Sequence, residues 1–290
     1  MAPGAGKSKH WLPISRYTVL FMKETLVHVY AWIVAACALS VIVAGAVVTN
    51  SLVVPAMAVN SGVFSRPGHQ HAAEAVGVLT IILSAWVWIG GKSSPARRLA
   101  WAPLLLVVAE IGLGQASGKG SAAVGLLHAL VAPVLLSSLA AVALATSPGW
   151  GKAPRMLQDK GWPPMRGLAR TNLVFVVLQV LLGTAFRHGA LGVMPHIVGA
   201  LVVVVLLLVL VICLTQMPGE SPLKPAAITL LVIAAVQIFL GLTVVSMNDK
   251  TMAQMAGLIF SATHVALGAL TLAMSVVVSM EARRSVRSQA

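Results

Sequence analysis

Residues 193–214 read VMPHIVGALVVVVLLLVLVICL, a run without Asp, Glu, Lys or Arg in which His196 is the only ionisable side chain besides Cys213. At 1.5 Å per residue, about 20 such residues cross the hydrocarbon of a bilayer as a helix, so this stretch reads as a membrane span. Working outward, seven more apolar blocks of similar length occupy residues 30–49, 71–90, 99–116, 122–145, 168–186, 225–245 and 256–280. Gly, Pro and charged residues collect between them, as at Gly90-Gly91-Lys92, Pro218 to Pro225 and Asn248 to Lys250. The 290 residues are 58% hydrophobic and only 9% charged, with a mean hydropathy of +0.93. These values exclude an ordinary soluble enzyme, a disulfide scaffold and a disordered chain. The expected class is an all-α integral membrane protein with eight transmembrane helices.

Lys and Arg total 20 against 7 Asp and Glu. In a chain of spans this excess reports topology rather than nucleic acid, and sixteen of the 20 fall on one side if the first span starts in the cytoplasm. The opposite side keeps Arg66, Lys119, Arg187 and Lys250. An N-in, C-in topology follows, in what reads as a prokaryotic cytoplasmic membrane. The longest polar connection divides the chain into a basic N-terminal segment (1–29), a four-helix bundle (30–145), a cytoplasmic linker (146–167), a second four-helix bundle (168–281) and a basic tail (282–290). Two pseudo-repeated bundles are therefore expected. Cys37 and Cys213 lie singly inside apolar blocks and form no CxxC motif.

Three odd-numbered spans repeat a polar residue four positions before a glycine: Glu110 with Gly114, Gln179 with Gly183, and Gln237 with Gly241. Each pair shares a helix face, where the glycine admits a neighbouring helix or a flat ligand. The even-numbered spans carry histidines near their outer ends: His71 in the second, His128 in the fourth, His196 in the sixth and His264 in the eighth. Ionisable groups inside a bilayer are costly and need a partner or a function. No HExxH motif or dense carboxylate cluster accompanies these histidines, which disfavours hydrolytic zinc and di-iron centres. Paired neutral imidazoles instead suit the axial positions of haem iron, one haem per bundle. The segment Pro67-Gly68-His69-Gln70-His71 leaves His69 as the alternative to the preferred His71, and His28 lies at the opposite end of its helix.

With these histidines, Gly45-Ala46-Val47-Val48-Thr49, the polar-xxLG helices and Arg187-His188, the chain resembles the haem A synthase family over most of residues 30–281. The resemblance implies a haem O substrate in the N-terminal bundle, its methyl group oxidised to formyl to give haem A, with haem b in the C-terminal bundle. His71 and His128 would be the substrate-site histidines, and His196 and His264 the haem b ligands. Implied partners are membrane lipids and haem O synthase, cytochrome oxidase or other respiratory complex subunits, with no nucleic acid. The family's Glu-x-x-His pattern is not reproduced, since Gly68 stands three residues before His71. Glu74, three residues after it, could approach the same face. Loss of the glutamate fits a relative that keeps haem and carries electrons.

Catalytic candidates on this reading are His71, His128, Glu74 and Glu110. Glu110 reads either as a proton-relay or haem-substituent partner or as a structural hydrogen bond. Arg187 reads as a propionate partner or a solvated loop residue, and Gly114, Gly183 and Gly241 as the close-approach positions. Met57, Met247, Met252 and Met255 read as packing rather than ligands. Trp86, Trp88 and Trp101 read as interface anchors, and Lys7, Lys9, Arg16 and Lys23 as a solvated or lipid-docking segment. The competing functions are a haem A synthase-like oxidase, a non-catalytic b-type cytochrome, and a haem-free transporter or structural subunit.

Overall fold

In lipid a backbone must satisfy its own hydrogen bonds, so apolar segments of this length become helices. A computed structural model of the chain describes residues 14–53, 62–90, 94–117, 120–159, 161–219, 221–246 and 251–288. Lys7, Lys9, Met57, Lys119, Met247 and Lys250 lie outside the described residues, as do the side chains of Arg16, Lys23, Met252 and Met255. Among the described residues the helices are α1 (Ile14–Val53), α2 (Arg66–Ile89), α3 (Ser94–Leu99), α4 (Trp101–Ser117), α5 (Ala122–Ala145), α6 (Met165–Arg187), α7 (Val193–Gln216), α8 (Leu223–Ser246) and α9 (Thr251–Ser285). Eight helical segments are long and apolar enough to cross a membrane, α3 and α4 together forming the third. Phe21 to His28 belong to α1, which begins well before the apolar block.

The helices close into two rings. α1, α2, α4 and α5 pack in sequence order, with α5 returning to α1, and α6, α7, α8 and α9 repeat the arrangement, with α9 returning to α6. Leu83, Val107, Leu136 and Leu139 fill the first core, and Leu207, Leu210, Leu230 and Leu272 the second. The rings meet where α9 packs on α5 and α1. There Ala269 and Ala273 join the first core beside Ala140 and Ala143, small residues that let helix backbones approach closely. α5 and α9 are thus the most enclosed spans.

The linker is more ordered than a polar connection requires. Leu157–Asp159 forms a short strand, β1, parallel to β2 (Val286–Ser288) in the tail. Asp159 then accepts hydrogen bonds from the backbone N–H groups of Gly161 and Met165, setting the start of α6. At this same end His28 Nδ1 lies 2.8 Å from the Ala143 carbonyl, tying α1 to α5.

Candidate functional site

The remaining intramembrane histidines gather at the opposite end, where α2, α5, α7 and α9 enter their bundles. In the C-terminal bundle His196 of α7 faces His264 of α9, with ring centroids 6.1 Å apart and planes at 86°. In the N-terminal bundle His128 of α5 faces His69 of α2 at 6.5 Å and 74°. This corrects the expected His71–His128 pairing. Two residues further along is about 200° round a helix, so His69 and His71 occupy nearly opposite faces. His69 shares its stripe with the buried Val76, Thr80, Leu83 and Val87, whereas His71 shares the outward face of Val78, Ile82 and Ile89. The His71 side chain is 79% exposed and its Nδ1 lies 3.2 Å from Glu74 Oε2. Glu74 is accordingly turned away from the histidine pair as well.

Each histidine of the two pairs lies against a glycine of an odd-numbered span. A Cβ on Gly183 would come within 2.7 Å of His196 Cε1, and one on Gly241 within 2.9 Å of His264 Cε1, separations that real Cβ atoms do not adopt. Gly45 of α1 stands in the same relation to His69, at 2.9 Å, and Gly114 faces His128 more loosely, at 3.5 Å. Gly45 is thus the fourth member of the glycine series and the one that the sequence pattern conceals, because the residue four positions earlier is Val41 rather than a polar side chain.

The residue one turn before each glycine holds the back of the ring. Glu110 of α4 pairs with His128 Nδ1 through its Oε2, the carboxylate being largely enclosed. Gln179 Nε2 lies 2.9 Å from His196 Nδ1 and donates to the His196 carbonyl at 2.9 Å. The Gln237 carbonyl oxygen lies 2.8 Å from His264 Nδ1, while the Gln237 side-chain oxygen accepts from Thr271 Oγ1 at 2.7 Å. Val41 offers His69 only its backbone. In His128, His196 and His264, Nδ1 is engaged behind the ring, which leaves Nε2 as the nitrogen to bind.

Arg187 joins the two bundles. At the end of α6 it sends its guanidinium across to α1, donating to the Ala46 carbonyl at 2.9 Å, next to the Gly45 that faces His69. His188, the C-terminal cap of α6, lies over Gly125 of α5, one turn before His128. Burial, then the charge of Arg187 and the neighbouring His128, pushes the His188 imidazole below its ordinary range, which favours the neutral ring.

Among the described residues no three His, Cys, Asp or Glu side chains gather around one point to hold a bare metal ion. The chemistry on offer is that of two facing imidazole pairs, each in a half-buried, glycine-lined setting. Compared with known families and with curated proteins, the sequence matches none.

Proposed function

We propose that this integral membrane protein binds haem through His69 with His128 in one bundle and His196 with His264 in the other, and acts as a haem A synthase-like oxidoreductase. The observation that carries the reading is the separation within the two pairs. Imidazole–metal bonds run about 2 Å, so the two rings of a pair would have to lie close together to hold one iron. The pairs stand at 6.5 and 6.1 Å. The absent Cβ atoms at Gly45, Gly183 and Gly241 support it further, since each leaves room that a side chain would take from a ligand ring. Once Nε2 is given to iron, Nδ1 carries the proton, for which Glu110 and the Gln237 carbonyl are the acceptors at hand, while the Gln179 amide would have to turn its oxygen toward His196.

Haem supplies one-electron redox chemistry when bound; the chain supplies orientation and charge. His69 and His128 would hold a haem O or haem A porphyrin, and His196 and His264 haem b. Glu110 would keep a carboxylate behind His128, and Arg187 would provide positive charge for a propionate between the bundles. The excess of Lys and Arg at the linker end supports an N-in, C-in reading with that side of the chain in the cytoplasm.

One observation favours a second reading, an electron-carrying b-type cytochrome or a subunit of a respiratory complex. Three residues before His69 stands Arg66, so neither His69 nor His71 is preceded by a glutamate in the Glu-x-x-His register. Haem extraction with chromatography and mass spectrometry, paired with a reduced-minus-oxidised spectrum and a haem O oxidation assay, separates the two. Haem O or A beside haem B, with turnover, supports the synthase-like function. Reducible haem B alone, without turnover, supports the electron carrier, and a folded protein without haem contradicts both.

A further inference from the structure

At the end of the bundles opposite the histidine pairs, α3, the linker and the last turns of α9 border an open surface hollow lined by Arg98, Arg283 and Arg284, with Trp150, Leu99 and Met280 as its apolar wall. Three guanidinium groups brought together in one hollow repel one another unless an anion is present. One is already committed. Arg284 donates to the carbonyls of Gly149 and Lys152, both at 2.8 Å, lies 3.7 Å from Glu281 Oε1 and stacks 4.5 Å over the Trp150 ring. Glu281 is buried beside that arginine, and among the described residues no carboxylate is paired with the other two. Arg98 and Arg283 are exposed and have no hydrogen-bond or ion-pair partner among the described residues.

The height of the pocket says which anion suits it. Trp88 at the end of α2 and Trp101 at the start of α4 stack edge to face, 5.3 Å apart, with nearly half of each side chain exposed. Exposed tryptophans of this kind sit at headgroup level, and α3, which carries Arg98, lies between them in the chain. The apolar wall of Leu99 and Met280 is suited to acyl chain, and the two uncommitted guanidinium groups to phosphate oxygens.

We propose that this pocket is a binding site for an anionic phospholipid, with its phosphodiester on Arg98 and Arg283 and its chains against Leu99 and Met280. The site is independent of haem binding. It is tested on the full-length protein by native mass spectrometry from mixed micelles containing phosphatidylglycerol and phosphatidylcholine of identical chains. Wild type should retain phosphatidylglycerol preferentially. Each arginine contributes about fivefold, so R98Q/R283Q should lose about twenty-fivefold of the preference while R98K/R283K keeps most of it. Should the double glutamine variant not elute as folded protein, R98Q and R283Q singly should each lose about fivefold. Equal retention of the two lipids by wild type, or an unchanged preference in the glutamine variants, would overturn the proposal. So would inorganic phosphate raising thermal stability as much as phosphatidylglycerol does, because the site would then be one for the free anion.

Discussion

In the C-terminal bundle the Gln179 side chain lies behind His196 and the Gln237 backbone carbonyl behind His264, and both histidines press on glycines that tolerate no Cβ. In the N-terminal bundle His128 has the carboxylate of Glu110 and a looser glycine, whereas His69 has a tight glycine and, like His264, no side-chain partner behind its ring. The same helical frame thus carries two pairs in which one ring has a side-chain partner, a neutral amide in the C-terminal bundle and a carboxylate in the N-terminal one. A carboxylate behind an imidazole makes it a stronger donor, and an imidazole without such support is more easily displaced. On the haem reading, the C-terminal pair rests on neutral partners, whereas in the N-terminal pair a carboxylate strengthens one ligand over the other.

The most severe way to break the comparison is to remove a ligand. His264→Ala should abolish haem binding in the C-terminal bundle and leave the N-terminal haem in place, and His128→Ala should do the converse, read as haem per chain after gentle purification. Loss of both haems from either variant, in protein that still elutes as folded, would mean that the bundles are not independent sites.

The glycines sharpen it next. Gly183→Ala forces a Cβ to within 2.7 Å of His196 and should cost about 1–3 kcal/mol of overpacking, lowering haem occupancy in the C-terminal bundle. Gly114→Ala makes only ordinary contact at 3.5 Å and gains helix propensity of about 1 kcal/mol, so thermal unfolding should be unchanged or slightly raised. Equal sensitivity at the two positions would remove the argument from close packing.

Glu110→Gln converts the carboxylate behind His128 into the amide type found in the other bundle. Haem content should stay the same while the reduction potential of the N-terminal haem rises, because a buried negative charge no longer favours the oxidised iron. Redox titration of the two haems checks this, and a shift confined to the C-terminal haem would assign Glu110 to the wrong site. The smallest effect belongs to Glu74→Ala, which removes an exposed partner of His71 worth under about 1 kcal/mol and should leave both haem spectra as they were.

The eight spans were legible because hydropathy over about 20 residues is a strong signal, and so was the placing of a histidine on every even-numbered one. Which histidine turns inward on α2 was harder to read. In a membrane both faces of a helix are apolar, so the burial stripe of a soluble helix is missing. The usable sign was the small and polar set Gly77, Thr80 and Ser84, which lies on the side of His69 and marks the packing face. His71 shares its side with Val78, Ile82 and Ile89, bulky residues suited to lipid. Gly45 stayed hidden for the reason already visible in the fold: its partner Val41 works through its backbone. The pairing of β1 with β2 and the reach of Arg187 to Ala46 join residues far apart in the chain, and no local pattern announces them.

The central claim is that His69, opposite His128, completes a haem site in the N-terminal bundle. Haem stoichiometry measured side by side on wild type, His69→Ala and His71→Ala tests it most directly. The account predicts two haems per chain in wild type and in His71→Ala, and one in His69→Ala, because only His69 faces His128. Haem-free wild type, or loss of haem in His71→Ala with full retention in His69→Ala, would contradict it.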